Sequence, residues 1–282
     1  MPPRILSFLA TFVLAGASAQ AVQIVAHRGA SYDAPENTMA ATNLAWKQGA
    51  DAVETDIYLS KDGRIVVSHD KSGKRTAGRD VNFVEITQAE ARTLDAGSWK
   101  SPKFAGEKIP LLEDQIASIP AGKRLLVEIK VGPEIVPELA RVLKKMGATE
   151  KNITVISFNY DSLKEVRKQL PRLPTLWLVG HPDLNSKKAQ TKKWDEKKTP
   201  SAKKPPTVDE MIQKAKDAKF TGLDLQHTWP LTDSDLKKIK GAGLELHVWT
   251  VNDAEIARRW INFGVASITT DRPGWLREQL KL

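Results

Sequence analysis

Residues 23–60 read QIVAHRGASYDAPENTMAATNLAWKQGADAVETDIYLS, and they contain a strand, a helix and a second strand in succession. The apolar run QIVAH (23–27) predicts a strand, ENTMAATNLAWKQG (36–49) has helical spacing, and AVETDIYLS (52–60) predicts another strand. Because a crossover helix joins the two strands, we expect them to pair in parallel.

The same alternation continues along the chain. Six further apolar or β-branched runs predict strands: RLLVEIK (124–130), ITVISF (153–158), PTLWLV (174–179), GLDLQ (222–226), LELHVWT (244–250) and ASITT (266–270). Helical patterns lie between most of them, and two longer excursions follow the second and fifth strands, at roughly 70–118 and 181–206. Eight strands in a domain of about 260 residues predict an α/β fold, a closed (β/α)8 TIM barrel, rather than an open doubly wound sheet.

The first 21 residues have the composition of a secretory signal peptide. Arg4 precedes the uncharged stretch ILSFLATFVLAGA (5–17), and small residues follow, which predicts cleavage after Ala19 or Ala21. The apolar core is well short of the roughly 20 residues that span a membrane. We therefore expect a signal peptide at 1–21, one domain at 22–282, and export to the periplasm or the extracellular space.

Cysteine is absent and the positive charge is concentrated in one segment. Without cysteine the chain is neither a disulfide scaffold nor a Cys-anchored lipoprotein. Of the formal net charge of +9, a surplus of six lies in residues 185–206, where eight lysines face only Asp195 and Glu196. The near-neutral remainder argues against nucleic acid as a partner. The segment itself is interpreted as a solvated excursion, with weak contact to an anionic membrane surface as the alternative.

Polar side chains lie near the C-terminal ends of the predicted strands. They are His27, Glu54, Asp56, Glu128, Lys130, Asp224, Gln226, His247 and Trp249. Residues two apart on a strand project to the same face, which in a barrel is the interior. Because barrel enzymes carry their active sites at this end, the pattern predicts a catalytic mouth there.

Three of these side chains, Glu54, Asp56 and Glu128, are carboxylates on strands that we expect to be neighbours. At close quarters they repel one another unless a positive charge lies between them. An all-oxygen set suits one divalent cation, Ca²⁺ or Mg²⁺, and is poor for zinc. A paired-carboxylate glycosidase is the alternative.

The glycosidase alternative leaves four nearby basic or imidazole side chains without a role. Arg28 and Lys130 supply fixed positive charge for an anion such as phosphate. Free histidine side chains ionise near neutral pH, so of His27 and His69 one can accept a proton while the other donates one. Together with a metal these residues predict a phosphodiester hydrolase, although His69 also fits a loop histidine bonded to Asp70.

Motifs along the whole chain support this prediction. They are HRG (27–29), PENT (35–38), E-x-D (54–56), HD (69–70), RT (75–76), LDAGSW (94–99), Ile109, Pro110, Leu112, Glu113, EIK (128–130), SF (157–158), WTVN (249–252) and TDRP (270–273). In this order the chain resembles the barrel-fold glycerophosphodiester phosphodiesterases over about residues 23–276. The main departure is the lysine-rich excursion, which affects the expected substrate preference.

The resemblance implies hydrolysis of a small glycerophosphodiester to sn-glycerol 3-phosphate and an alcohol. It implies the following roles: His27 and His69 as acid and base, Glu54, Asp56 and Glu128 as metal ligands, and Arg28, Lys130 and Trp249 as substrate-binding residues. Glu36 either caps the following helix or orients Arg28. The attacking group is water or the neighbouring glycerol hydroxyl.

Two other functions remain as alternatives. One is a lysophospholipase D-like or sphingomyelinase D-like lipid phosphodiesterase, which an exposed apolar lip beside the mouth would favour. The other is a catalytically inactive phosphodiester-binding protein, against which the intact pair His27 and His69 counts.

Overall fold

The computed structural model describes residues 21–181 and 205–282. These residues contain nine strands: β1 (Gln23–Ala26), β2 (Ala52–Leu59), β3 (Ile65–Val67), β4 (Arg124–Ile129), β5 (Ile153–Ser157), β6 (Thr175–Val179), β7 (Gly222–Gln226), β8 (Glu245–Trp249) and β9 (Ser267–Thr270). The helices are α1 (Met39–Lys47), α2 (Gln88–Ala91), α3 (Leu112–Ala117), α4 (Val136–Met146), α5 (Tyr160–Gln169), α6 (Val208–Asp217), α7 (Asp233–Gly241), α8 (Ala254–Phe263) and α9 (Pro273–Leu280).

Eight of the strands are parallel and form a closed barrel. The strand order is β1, β9, β8, β7, β6, β5, β4, β2, and β1 also pairs with β2, which closes the ring. Each of the eight predicted strands is present, so the (β/α)8 TIM barrel is confirmed. Closure brings the C-terminal ends of all eight strands around one mouth.

The ninth strand was not predicted from the sequence. β3 pairs antiparallel with β2, with Ile57 opposite Val67 and Leu59 opposite Ile65. The hairpin returns the chain toward the barrel, and the Ser68 N–H donates to the Asp56 carbonyl at 3.0 Å. The first excursion therefore follows this hairpin, and the hairpin places His69 at the level of Asp56.

Two apolar layers surround the sheet. The larger one lies between the strands and the helices; on α4 the buried side chains are Val136, Leu139, Val142 and Leu143, the spacing of one helical face. Burying each such side chain contributes about 2 kcal/mol relative to exposure. The second layer fills the barrel interior, where a buried cluster packs against Trp249: Val25, Ala52, Leu126, Ile156, Leu176 and Leu178.

The first excursion forms an ordered cover beside the mouth. α2 begins with a capping box between Thr87 and Glu90. Farther along, the Asp95 carboxylate accepts hydrogen bonds from the backbone N–H groups of Gly97, Ser98 and Gly106, which hold its pKa well below its usual value. These hydrogen bonds fix the backbone of the LDAGSW segment (94–99), to which Asp95 belongs.

Two sequence predictions lie outside the described residues. The predicted signal peptide at 1–21 falls almost entirely on residues 1–20, and the predicted lysine-rich excursion at 185–206 falls largely on residues 182–204. Within 21–181 and 205–282, each helix is too short or too polar to cross a membrane.

Candidate active site

The turn after β1 is built by residues of the HRG and PENT motifs. Thr38 caps α1: its hydroxyl oxygen accepts from the Ala41 N–H at 3.3 Å and donates to the Pro35 carbonyl at 2.7 Å. Gly29 has φ +83°, and a Cβ there would lie 2.6 Å from the Ala41 carbonyl carbon, so only glycine fits. This turn holds Arg28 over the mouth of the barrel.

The three predicted metal ligands come together. One carboxylate oxygen from each of Glu54, Asp56 and Glu128 lies within 4.8 Å of the others, and all three side chains are buried. They meet because β2 and β4 are neighbours with Asp56 opposite Glu128 in register. Residues two apart on β2 then project into the same space.

The electrostatics of this cluster fit a bound cation. Burial, together with the Asp56 charge, raises the pKa of Glu54 well above its usual value and that of Glu128 to about 7. Burial opposes ionisation of Asp56 as well, but Lys130 and Arg28 hold its pKa below the usual value. Glu54 Oε1 and Asp56 Oδ1 are buried without a hydrogen-bond partner among the described residues. Buried carboxylates with free oxygens are the ligands that a hard divalent cation takes.

Arg28 and Lys130 line the same cluster. Arg28 Nε lies 3.3 Å from Asp56 Oδ2, and the Arg28 backbone N–H donates to Glu54 Oε2 at 2.8 Å. Lys130 Nζ lies 2.6 Å from Glu128 Oε1 and 3.4 Å from Asp56 Oδ1. The two cations therefore border the predicted metal position, where they are available to an anionic ligand.

His27 is held by a carboxylate from the far end of the chain. Its Nδ1 lies 2.6 Å from Asp271 Oδ1, and Asp271 also accepts from Ser31 Oγ at 3.1 Å and Asn252 Nδ2 at 2.6 Å. Burial raises the pKa of Asp271, but these donors, His27 foremost, lower it to about 2. An ionised Asp271 accepts the proton of Nδ1, which leaves His27 Nε2 for chemistry. Asp271 and Asn252 belong to the TDRP and WTVN motifs, but the sequence alone indicated no role for either residue.

His69 has a similar arrangement. Its Nδ1 lies 2.9 Å from Asp70 Oδ1, and Asp70 Oδ2 accepts from Arg75 Nε at 2.7 Å. The contact expected of a loop histidine is therefore present, yet the nearby charges of Asp56 and Arg28 also act on the ring. Burial lowers the pKa of His69, so the neutral ring predominates at neutral pH.

Glu36 orients Arg28 and does not cap α1, since Thr38 occupies the cap. The Glu36 carboxylate accepts from Arg28 Nη1 at 2.9 Å and from both terminal nitrogens of Arg75 at 2.7 Å. Arg75 therefore connects the Arg28 side of the site to the Asp70 carboxylate. The RT motif singled out Arg75 in the sequence, but its pairing with Glu36 could not be inferred from the spacing of the two residues.

An aromatic pair forms one edge of the mouth. The rings of Phe158 and Trp249 meet edge to face at 5.4 Å, and Lys130 Nζ lies 5.9 Å from the Phe158 centroid. Phe158 is 46% exposed. The structure thus places Trp249 at the mouth, beside the predicted cation site.

The prediction that His247 lies at the mouth is wrong. His247 bonds to Ser267 Oγ at 2.7 Å and to Glu245 Oε2 at 3.1 Å, and it lines a cavity of about 750 Å³ at the N-terminal end of the barrel. The reason is that His247 is only the middle residue of β8 and lies opposite Ser267, the first residue of β9, so it is below the C-terminal ends of the strands. The carboxylates Glu54, Asp56 and Glu128 do not line this cavity. The candidate active site is therefore identified by the chemistry of its side chains and not by cavity volume.

Asp224 on β7 is also deeper than predicted, and it yields a stability prediction. It is 1% exposed, its Oδ1 has no hydrogen-bond partner among the described residues, and burial raises its pKa to about 7. The native protein therefore keeps a proton that the unfolded chain loses near pH 4. The stability gained from this proton is complete below pH 4 and is lost as the pH rises through 7.

Asp224→Asn removes this pH dependence. We expect the variant and the wild type to have similar free energies of unfolding at pH 4, and the variant to be more stable by about 2 to 4 kcal/mol at pH 8. Urea unfolding at both pH values measures the difference. Asp233→Asn, at an exposed position, is the control, and a gap that stays constant with pH contradicts the prediction.

The fold and the site define a class: a barrel enzyme that cleaves phosphodiesters. Residues 27–275 match the pattern of the glycerophosphoryl diester phosphodiesterase family. The chain belongs to this family, which confirms the family and the enzyme class that the motifs predicted.

Individual relatives agree with this assignment. The Bacillus subtilis protein YhdW is 33% identical over 256 residues, covering 90% of this chain and 96% of its own. A glycerophosphodiester phosphodiesterase of the same organism is 29% identical and covers 95% of this chain and 92% of its own. The structure of an Oleispira antarctica phosphodiesterase in complex with its product sn-glycerol 3-phosphate superimposes with a TM-score of 0.77 at 28% identity, covering 92% of this chain and 97% of that one.

Proposed function

We propose that the protein hydrolyses glycerophosphodiesters to sn-glycerol 3-phosphate and an alcohol with the help of one divalent cation and two histidines. The observation that carries this proposal is the meeting of two carboxylate-bound histidines, His27 and His69, with the carboxylate and cation cluster at one barrel mouth. The product bound to the Oleispira antarctica relative supports the same substrate class.

The phosphate of the substrate binds between Arg28 and Lys130. Nearby carboxylates raise the pKa of both side chains, which outweighs the lowering by burial, so both remain charged at neutral pH. Glu54, Asp56 and Glu128 would hold a Ca²⁺ or Mg²⁺ ion, which would neutralise these carboxylates and stabilise negative charge on the phosphate. Arg28 then orients the diester, with Glu36 fixing its guanidinium.

The two histidines move the protons. Because burial favours its neutral ring, His69 accepts the proton of the attacking hydroxyl group. His27, in its doubly protonated form, donates the proton of Nε2 to the oxygen of the leaving alcohol, while Asp271 accepts the hydrogen bond of Nδ1. The attacking oxygen forms a new P–O bond as the P–O bond to the alcohol breaks. Attack by water gives sn-glycerol 3-phosphate directly, whereas attack by the neighbouring glycerol hydroxyl gives a cyclic phosphate that water then hydrolyses to sn-glycerol 3-phosphate.

A lipid substrate is the second candidate, since human lysophospholipase D GDPD1 is 25% identical over 275 residues. The exposed large apolar side chains near the mouth, within the described residues, are Tyr32, Trp99 and Phe158. A cationic side chain lies over each of these rings. Rings covered by cations suit a polar diester better than an acyl chain, and we therefore favour the soluble substrate.

The proposal is tested by comparing glycerophosphocholine with lysophosphatidylcholine, with and without a chelator. We expect release of sn-glycerol 3-phosphate from the soluble diester, and loss of that release in chelator. Turnover of the lysolipid alone favours the lipid phosphodiesterase, and binding without turnover of either favours a binding protein.

We also propose that the protein is exported and that residues 185–206 contact anionic membranes only weakly. The signal-like residues 1–21 support export, and the eight lysines support the weak membrane contact.

Deleting residues 187–204 should leave turnover of glycerophosphocholine nearly unchanged, because loop length alters closure entropy only slowly. Sedimentation with anionic vesicles at low and high salt measures the membrane contact. A large loss of activity on the soluble diester contradicts the proposal of a merely solvated excursion.

A further inference from the structure

Beside the two histidines lies a cluster of aromatic and cationic side chains that the proposed reaction has not used. This headgroup patch consists of Tyr32, Trp99, Lys100 and Arg272. It adjoins His27, because Lys100 Nζ donates to the Ser31 carbonyl at 2.8 Å while Ser31 Oγ donates to Asp271. It adjoins the other histidine through Arg75, which binds Asp70 and lies 5.9 Å from the Trp99 centroid.

The two cations of the headgroup patch differ from the others at the mouth. Arg28, Lys130 and Arg75 are each paired with carboxylates. Within residues 21–181 and 205–282, by contrast, Lys100 and Arg272 form no ion pair, and Arg272 Nε is buried without a hydrogen-bond partner. The patch therefore carries positive charge that a ligand can neutralise.

The aromatic rings of the patch are already covered by the protein's own cations. Arg272 lies 4.4 Å from the Tyr32 centroid and 4.1 Å from that of Trp275. Lys100 lies 5.8 Å from the Trp99 centroid. A quaternary ammonium group such as choline uses exposed ring faces of this kind. Here it meets rings that are occupied by like charge, so a cationic headgroup is disfavoured.

We propose that the headgroup patch binds the alcohol that leaves and selects headgroups that carry a carboxylate over choline. The inference rests on the proposed function, in which a histidine protonates the leaving oxygen. The patch borders the carboxylate partners of both histidines at the rim of the mouth, so an alcohol that extends from its reacting oxygen past either ring toward the rim meets the patch. The edge formed by Phe158 and Trp249 then remains for the glycerol arm.

The test compares kcat/KM for glycerophosphoserine and glycerophosphocholine. We expect the wild type to favour the serine diester by about tenfold at low salt, and this ratio to fall as salt is added. Lys100→Gln should lower the ratio by about three- to fivefold, in the range of one partly exposed charge pair. Lys100→Glu should lower it further. Lys103→Gln, an exposed lysine of the same excursion that lies over Phe104, is the matched control and should keep the wild-type ratio.

The outcomes separate this inference from the proposed function. If diesters are hydrolysed but choline is preferred, or the ratio is the same in the wild type and both Lys100 variants, the headgroup patch does not select the alcohol. If neither diester is hydrolysed by the cation-loaded wild type, the proposed function fails and this inference fails with it.

Discussion

We expect His27→Ala and His69→Ala each to lower kcat for glycerophosphodiesters by about two to four powers of ten, the range for losing a positioned acid or base. Each histidine is held through Nδ1 by a carboxylate, Asp271 for His27 and Asp70 for His69, so each presents one defined nitrogen to the substrate. Because neither is a ligand in the carboxylate cluster, both variants should still bind the cation. Single-turnover kinetics together with calorimetric titration of Ca²⁺ and Mg²⁺ measure the two properties separately.

The matched control is His247→Gln at the opposite end of the barrel. Glutamine keeps the capacity to bond Ser267, and the site lies far from the mouth. We expect its kcat to stay near the wild-type value once correct folding has been checked by circular dichroism. Near wild-type turnover by His27→Ala or His69→Ala would assign that histidine a structural role only.

We expect a chelator to abolish diesterase activity and Glu54→Gln to lower cation affinity, because the neutral amide removes one of the three carboxylates that would attract the ion. In the cation-free protein the same substitution removes a buried carboxylate whose pKa is raised by burial and by Asp56. The variant should therefore be at least as stable as the wild type without cation. Since a ligand stabilises the native state according to its concentration and Kd, added Ca²⁺ or Mg²⁺ should raise Tm for the wild type much more than for Glu54→Gln.

Calorimetry measures the cation affinity, and thermal unfolding measures the rise in Tm, so both test this prediction without an activity assay. Glu165→Gln, on the outer helix α5 where Glu165 pairs with Lys168, is the control and should respond to the cation as the wild type does. Full turnover by metal-free protein in chelator, or unaltered cation affinity of Glu54→Gln, would show that the carboxylate cluster has another role.

Local sequence patterns were sufficient for the barrel and for its carboxylate cluster. Eight buried runs alternating with amphipathic segments leave a parallel closed sheet as the architecture that covers both faces of every strand. Residues two apart share a face, so Glu54 and Asp56 had to project together, and Glu128 on the next parallel strand had to join them. These inferences depend on periodicity and strand order, which the sequence contains directly.

Contacts between distant segments required the tertiary structure. His27 and Asp271 are 244 positions apart and meet only because β1 and β9 pair when the ring closes. Glu36 and Arg75 meet only because the unpredicted β3 hairpin turns the first excursion back over the mouth. His247 was misplaced because a residue's height in the barrel depends on where its strand begins, not on its distance from the strand's last residue.

The sequence by itself therefore determined the fold, the family and the three carboxylates, because periodicity and chain order are local properties. The tertiary structure alone decided which carboxylate holds each histidine and which cations at the mouth form no ion pair with another described residue, because ring closure and strand register set those distances.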